Sequence, residues 1–151
     1  MSRENAPRQM TEPFQGAKVM LFFGARLLVM RRDDKPGIPW PGFLDWPGGG
    51  REGDESPEAC VLRETQEEIG LLLCPADLCW KSPYHRPGWL SWFFAAHLPA
   101  ARANDIRFGN EGQGWMLIPP EAFLHDAKAI PHFRTMLDFY LGSCRPIAAE
   151  A

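Results

Sequence analysis

The stretch Gly49-Gly50-Arg51-Glu52-Gly53-Asp54-Glu55, continued through Arg63-Glu64-Thr65-Gln66-Glu67-Glu68-Ile69-Gly70-Leu71, decides the fold. Its second half predicts a helix. Ser56 can cap the start with its hydroxyl, and Pro57 fits the first helical position, where no N–H is missed. Gly70 closes it, because glycine takes the left-handed conformation that ends helices at little steric cost. At about 100° per residue the apolar arc comprises Ala59, Leu62, Ile69 and the methyl side of Thr65, with Val61 at its edge. Glu64, Glu67 and Glu68 fall on the other side within an arc of about 100°. Like charges so placed repel by a few tenths of a kcal/mol per pair, and a divalent cation turns that repulsion into binding. Hard carboxylate oxygens suit magnesium or manganese, which keep several waters and complete their shell with substrate phosphates. Ahead of the helix, Trp46-Pro47-Gly48-Gly49-Gly50 reads as a strand leaving into a glycine loop whose bare backbone lets carbonyls approach an ion.

From Gly49 through Glu55 to Arg63-Glu64, Glu67-Glu68 and Gly70-Leu71, the residues resemble the Nudix box, G-x5-E-x7-R-E-U-x-E-E-x-G-U with U a bulky aliphatic. One position departs: Thr65 stands where U is expected, on the buried arc, where a β-branched side chain substitutes by shape. The resemblance implies an α/β protein with the Nudix fold, a mixed β-sheet sandwiched between α-helices. It also implies that Glu67 and Glu68 hold metal with the Gly48 carbonyl, and that Glu64 is both ligand and general base. Arg63 then orients a neighbouring box glutamate, Glu55 steadies the glycine loop, and Gly49 and Gly70 are structural.

Outside the box, Asn110-Glu111-Gly112-Gln113-Gly114-Trp115-Met116 is similar to the segment of mutator-type Nudix enzymes whose glutamate joins the metal shell. Glu111 therefore competes with Glu64 for the role of base. Arg32 resembles the arginine those enzymes set against substrate phosphates, although an Arg31-Arg32 pair answering Asp33-Asp34 is an alternative use of it. Tyr84-His85-Arg86-Pro87-Gly88-Trp89 reads as a loop rich in stacking and phosphate-binding types, with Arg86 a substrate-binding candidate and Trp89 either there or in the core.

The implied reaction is metal-assisted attack of water on phosphorus in a nucleotide substrate, first a nucleoside triphosphate, oxidised ones included, giving monophosphate and pyrophosphate. The region of Pro131-His132-Phe133 lacks the asparagine with which mutator-type enzymes read oxidised guanine, so discrimination for it should be modest. ADP-ribose is the alternative substrate class: Pro87 lies where members hydrolysing it carry proline, but Ser91-Trp92-Phe93 stands where those carry acids. Two further readings are a nucleotide-binding sensor without turnover and processing of the 5′ end of RNA.

Around the box, apolar runs at 17–23 and 27–32 flank Gly24-Ala25-Arg26 as a hairpin. Further strands are expected at 42–46, 77–81, 89–98 and 115–118, a short helix at 119–124 and a last one at 131–141, where Phe133, Met136, Leu137 and Tyr140 share helical spacing. The 151 residues, 45% of them hydrophobic, fit one domain, read as 16–145 between a flexible segment 1–15 and a tail 146–151. A net charge of −3 and a pI near 5.8 argue against a basic face for duplex nucleic acid. The longest apolar stretch, 19–30, is broken by Gly24 and Arg26, so no membrane span is expected. The four cysteines have neither metal-site spacing nor scaffold density and read as reduced thiols. Cys60 falls on the acidic side, one turn before Glu64. A cytoplasmic monomer or homodimer is the expectation.

Overall fold

In the computed structural model, which describes residues 13–144, a seven-stranded mixed sheet lies between two helical layers. Its elements are β1 (Gly16–Phe23), β2 (Arg26–Arg31), β3 (Leu44–Asp45), β4 (Gly48–Gly50), α1 (Pro57–Ile69), β5 (Leu78–Arg86), β6 (Trp89–Leu98), β7 (Gly114–Ile118), α2 (Pro120–Leu124) and α3 (Pro131–Cys144), with 3-10 turns at Pro75–Asp77 and Ala100–Asp105. Strand β1 is central and apolar on both faces, as a strand covered twice must be. It runs parallel to β6 along its whole length and antiparallel to β2 at one end and β4 at the other. The strands β3 and β7 join β2, and β5 closes the far edge beside β6.

Alternation along β1 divides the core. Ala17, Val19, Leu21 and Phe23 face α1, where they meet Cys60, Val61 and Ile69. Met20 and Phe22 face α3 and join Trp46, Phe93, Phe123, Phe133 and Leu137. Lys18 belongs by alternation to this second face, so a cation enters a mainly apolar layer beside the glycine strand.

Several expectations need correction. The glycine loop is in fact strand β4: Gly48 pairs with Lys18 and Gly50 with Gly16, because a run without side chains can lie flat between β1 and α1. That changes the helix wheel. Ala59 is exposed, whereas Cys60 is buried, and Glu64 and Glu68 lie in the arc between Cys60 and Val61 and are half-buried under β4. The strand expected at 77–81 extends to Arg86 and accepts Pro83, since β5 is an edge. The segment Tyr84 to Trp89 is then no loop but a hairpin closed by Pro87-Gly88, and Trp89 is exposed. Phe14, assigned to the flexible N-terminal segment, is buried in the core, and Gln15 exchanges hydrogen bonds with Leu90. Residues 1–12 of that segment and the tail 146–151 lie outside the described residues. Among the described residues no helix is long and apolar enough to cross a membrane.

Candidate active site

Helix α1 is fixed at both ends. The Ser56 Oγ accepts from the Ala59 N–H at 3.1 Å, and Gly70, at φ 65°, turns its own N–H back to Gln66 O. The loop before β7 docks on the same end, with the Arg107 N–H on Ile69 O and the Gly109 N–H on Glu68 O, both at 2.7 Å, so carbonyls a helix leaves unpaired are used. This docking carries Glu111 to the mouth of the acidic face.

One guanidinium organises the box. Arg63 donates to both oxygens of Glu55, Nε at 2.5 Å and Nη2 at 3.0 Å, and Nη2 also reaches Gly50 O at 2.9 Å. Its Nη1 faces Glu64 at 3.1 Å and Glu67 at 3.3 Å. Glu55 in turn accepts the Glu52 N–H. The Arg63 hydrogen bonds hold the Glu55 carboxyl below the usual range, and the Glu55, Glu64 and Glu67 bonds raise the pKa of Arg63.

Glu68 sits deeper. Its Oε1 accepts the Gly48 N–H at 2.8 Å, and burial pushes its carboxyl up to about 7 against the opposing pull of Lys18 and that N–H. Burial likewise raises Glu64, with Arg63 opposing. The glycines are demanded by contact: a Cβ on Gly49 would stand 2.5 Å from the Glu64 carboxylate, and one on Gly48 would stand 2.1 Å from Ala17 O. Cys60 Sγ lies 3.5 Å from Gly49 O, and burial lifts its thiol to about 11, which leaves it protonated and a packing group.

The sequence reading missed two residues. Asp45, 5% exposed, forms ion pairs with Lys18 at 3.1 Å and Arg32 at 2.8 Å and accepts the Trp46 N–H. Lys18 Nζ also donates to Gly48 O at 3.1 Å and Trp46 O at 3.2 Å. A single charge inside the apolar run of β1 was the available signal; its partner is 27 residues away. Arg32 thus answers Asp45, and Arg31 donates to Gly42 O, in place of the alternative pairing with Asp33-Asp34.

Two cavities flank this triad. The first, about 240 Å³, is lined by Glu68, Glu111, Asp45, Arg31, Arg32 and Lys35. The second, about 230 Å³, is largely apolar and includes Trp40, Phe93, Ile130, His132 and Phe133 beside Lys18 and Gly49. Arg32 and Asp45 line both, so a charged cavity adjoins an apolar one across a single ion pair. At the rim Trp40 holds φ 52°, a strained value for a bulky residue. Glu68, Glu111 and Arg32 therefore meet in one cavity, while Glu55, Glu64 and Glu67 gather around Arg63 and Arg86 lines neither cavity.

Among the described residues no three acid, histidine or cysteine side chains converge on one point. The donor set nevertheless fits a hard divalent cation: three carboxylates from one helix face, of which Glu64 and Glu68 are half-buried, and a backbone carbonyl at Gly48.

Comparison with known proteins places the chain. The NUDIX domain matches residues 13–139, and the chain belongs to the Nudix family. It is 37% identical over 102 residues to an RNA pyrophosphohydrolase of Gluconacetobacter diazotrophicus, an alignment covering 62% of this chain and 53% of that one. The chain thus spans about half the length of this relative. Over 30 residues it is 57% identical to an 8-oxo-dGTP diphosphatase of Proteus vulgaris, covering 20% of this chain and 27% of that one. The MutT protein of Methanosarcina mazei shares the fold with a TM-score of 0.71 at 20% identity, over 89% of this chain and 98% of that structure.

Proposed function

We propose that the protein hydrolyses the phosphoric anhydride of a nucleoside triphosphate unit, releasing a 5′-monophosphate and pyrophosphate. What carries the reading is the adjacency of the acid-lined cavity, holding Glu68 and Glu111, to the apolar cavity across Arg32 and Asp45. A polyphosphate fits the first and a nucleobase the second. Glu64, Glu67, Glu68 and the Gly48 carbonyl would hold magnesium or manganese, with Glu111 as a further ligand. Such an ion, when bound, neutralises phosphate oxygens and acidifies a coordinated water.

The chain supplies the rest. Glu64, its pKa raised by burial and its carboxylate held by Arg63, accepts the proton as water attacks phosphorus and the bridging P–O bond breaks. Arg63 positions Glu64, and Glu55 locks Arg63. Arg32 faces the phosphates, and its bond to Asp45 fixes its planar fork. Trp40 and the aromatic wall hold the base.

Compared with ADP-ribose, a triphosphate should show the higher kcat/KM, since Pro87 sits in a tight turn and lines neither cavity. A role as a sensor without turnover does not call for the whole carboxylate cluster. The RNA pyrophosphohydrolase relative favours a second reading, in which the triphosphate unit is the 5′ end of an RNA. A monomer or homodimer acting in the cytoplasm is consistent with either.

A product assay over a nucleotide panel with magnesium and with manganese tests the proposal. Monophosphate and pyrophosphate are expected, with activity abolished by chelation; full turnover in excess chelator, or a tenfold preference for ADP-ribose (about 1.4 kcal/mol), overturns it. Glu64→Gln should lose rate while binding metal almost normally, whereas Glu111→Gln should mainly weaken affinity. The reverse pattern transfers the base to Glu111.

A further inference from the structure

In the β5–β6 hairpin Ser82 stands opposite Phe93, Tyr84 opposite Ser91 and Arg86 opposite Trp89, and opposed residues share a face. This is the face of the apolar cavity, since Ser91 and Phe93 line it. Arg86 and Trp89 form the last cross-strand pair, at the outer end, where the turn holds them. Trp89 is 42% exposed, and the Arg86 guanidinium lies 4.9 Å from its ring centroid. Inward of this pair Tyr84 stacks on His132 with centroids 4.8 Å apart and an interplanar angle of 20°, and His132 itself lines the cavity. Burial holds that imidazole below its ordinary range, and the Arg86 charge acts in the same direction. Aromatic faces therefore run from the cavity to the hairpin tip and end in an exposed ring under a cation.

An exposed cation–π pair contributes only about 0.5–1 kcal/mol to the hairpin. The same two groups are complementary to a nucleotide: the guanidinium fork to a phosphodiester, the ring to any base. Trp89 lies two residues along the strand from Ser91, about 7 Å, a distance of the order of one nucleotide step. The pair thus extends the apolar cavity's lining along the hairpin toward its tip.

We propose that Arg86 and Trp89, backed by Tyr84 and His132, form a subsite for the nucleotide that follows the reacting one, so that the site takes the 5′-triphosphorylated end of an oligonucleotide. Arg86 takes the intervening phosphodiester and Trp89 stacks on the second base. This rests on the hydrolytic reading above and goes further in naming the substrate class.

The test compares a 5′-triphosphorylated dinucleotide RNA with the matching nucleoside triphosphate, in the unaltered protein and in Trp89→Ala, Trp89→Phe and Arg86→Ala. The unaltered protein should prefer the dinucleotide in kcat/KM by about tenfold or more, and Trp89→Ala should lower that preference about tenfold, through KM, while Trp89→Phe retains most of it. Arg86→Ala should lower the preference and flatten its salt dependence. In excess chelator the 5′-monophosphorylated dinucleotide should bind Trp89→Ala more weakly than the unaltered protein, which reads the subsite without turnover. Cleavage of both substrates with an unchanged preference in all three variants overturns the subsite alone. Cleavage of neither by the unaltered protein removes the hydrolytic reading and the subsite with it.

Discussion

Glu68 carries a consequence for the metal-free protein. Its carboxyl rises from an ordinary 4.5 to about 7 chiefly through burial, so between those values the folded chain keeps a proton that the unfolded chain has released. The stability this contributes is present at low pH and lost as pH rises through about 7. In excess chelator Tm should therefore fall from pH 5 to 8, with Glu68→Gln flattening the slope; an unchanged slope in that variant refutes the assignment. With Glu68 as a ligand, as proposed, magnesium would displace the same proton, and its thermal stabilisation should grow over the same interval. In catalysis, Glu67→Gln or Glu68→Gln should each lower kcat about 100-fold, close to 3 kcal/mol, and near-normal rates in both would argue against their roles. Thr65 offers an independent check. Its side chain is fully buried and Oγ1 has no hydrogen-bond partner. Thr65→Val removes that unsatisfied group at equal shape, and chemical denaturation should show a gain of about 1 kcal/mol.

At the scale of elements, β4 governs how closely α1 can approach the sheet. Gly48→Ala would drive a Cβ into the backbone of β1, and overpacking of this kind should cost about 1–3 kcal/mol of stability. Gly49→Ala meets first the end of the Glu64 side chain and not backbone, so it should fold and lose rate, a split that paired denaturation and kinetic measurements resolve. The loop between β2 and β3 presents Trp40 at its strained φ, and Trp40→Ala should relieve part of the strain while raising KM for nucleotides with kcat largely kept. Helix α1 was legible because Ser56, Pro57 and Gly70 state its ends locally, and the structure begins and ends it there. What the wheel could not show was the covering strand: three glycines in a row look like a loop until a partner strand is known, and that partner is β1, some thirty residues earlier. The same limit hid Lys18 and Asp45, each of which is unremarked until the other is beside it. Pro83 shortened the reading of β5, since only the sheet order reveals that this strand lies at an edge.

Over the whole molecule, the charge of −3 is a poor guide to the surface, because a share of the acids converges on Arg63 and another borders the cavities. The basic groups a polyphosphate would meet, Lys18 and Arg32, are held inside by Asp45, and the balance over the sequence conceals them. The parallel pairing of β1 with β6 reaches further. Residues 16–23 find their longest partner only at 91–98, after α1 and the β5 edge have been made. During synthesis β1 must wait, apolar and with one edge open, until more than seventy further residues have emerged. Contacts of such long sequence separation close slowly and leave an exposed strand to find wrong partners. The order of events on the ribosome is therefore set by the sheet: the acids of α1 can form their helix early, but the edge of β1 beside Lys18 stays open until β6 has emerged, and a chain arrested before Trp89 should aggregate through β1 instead of folding.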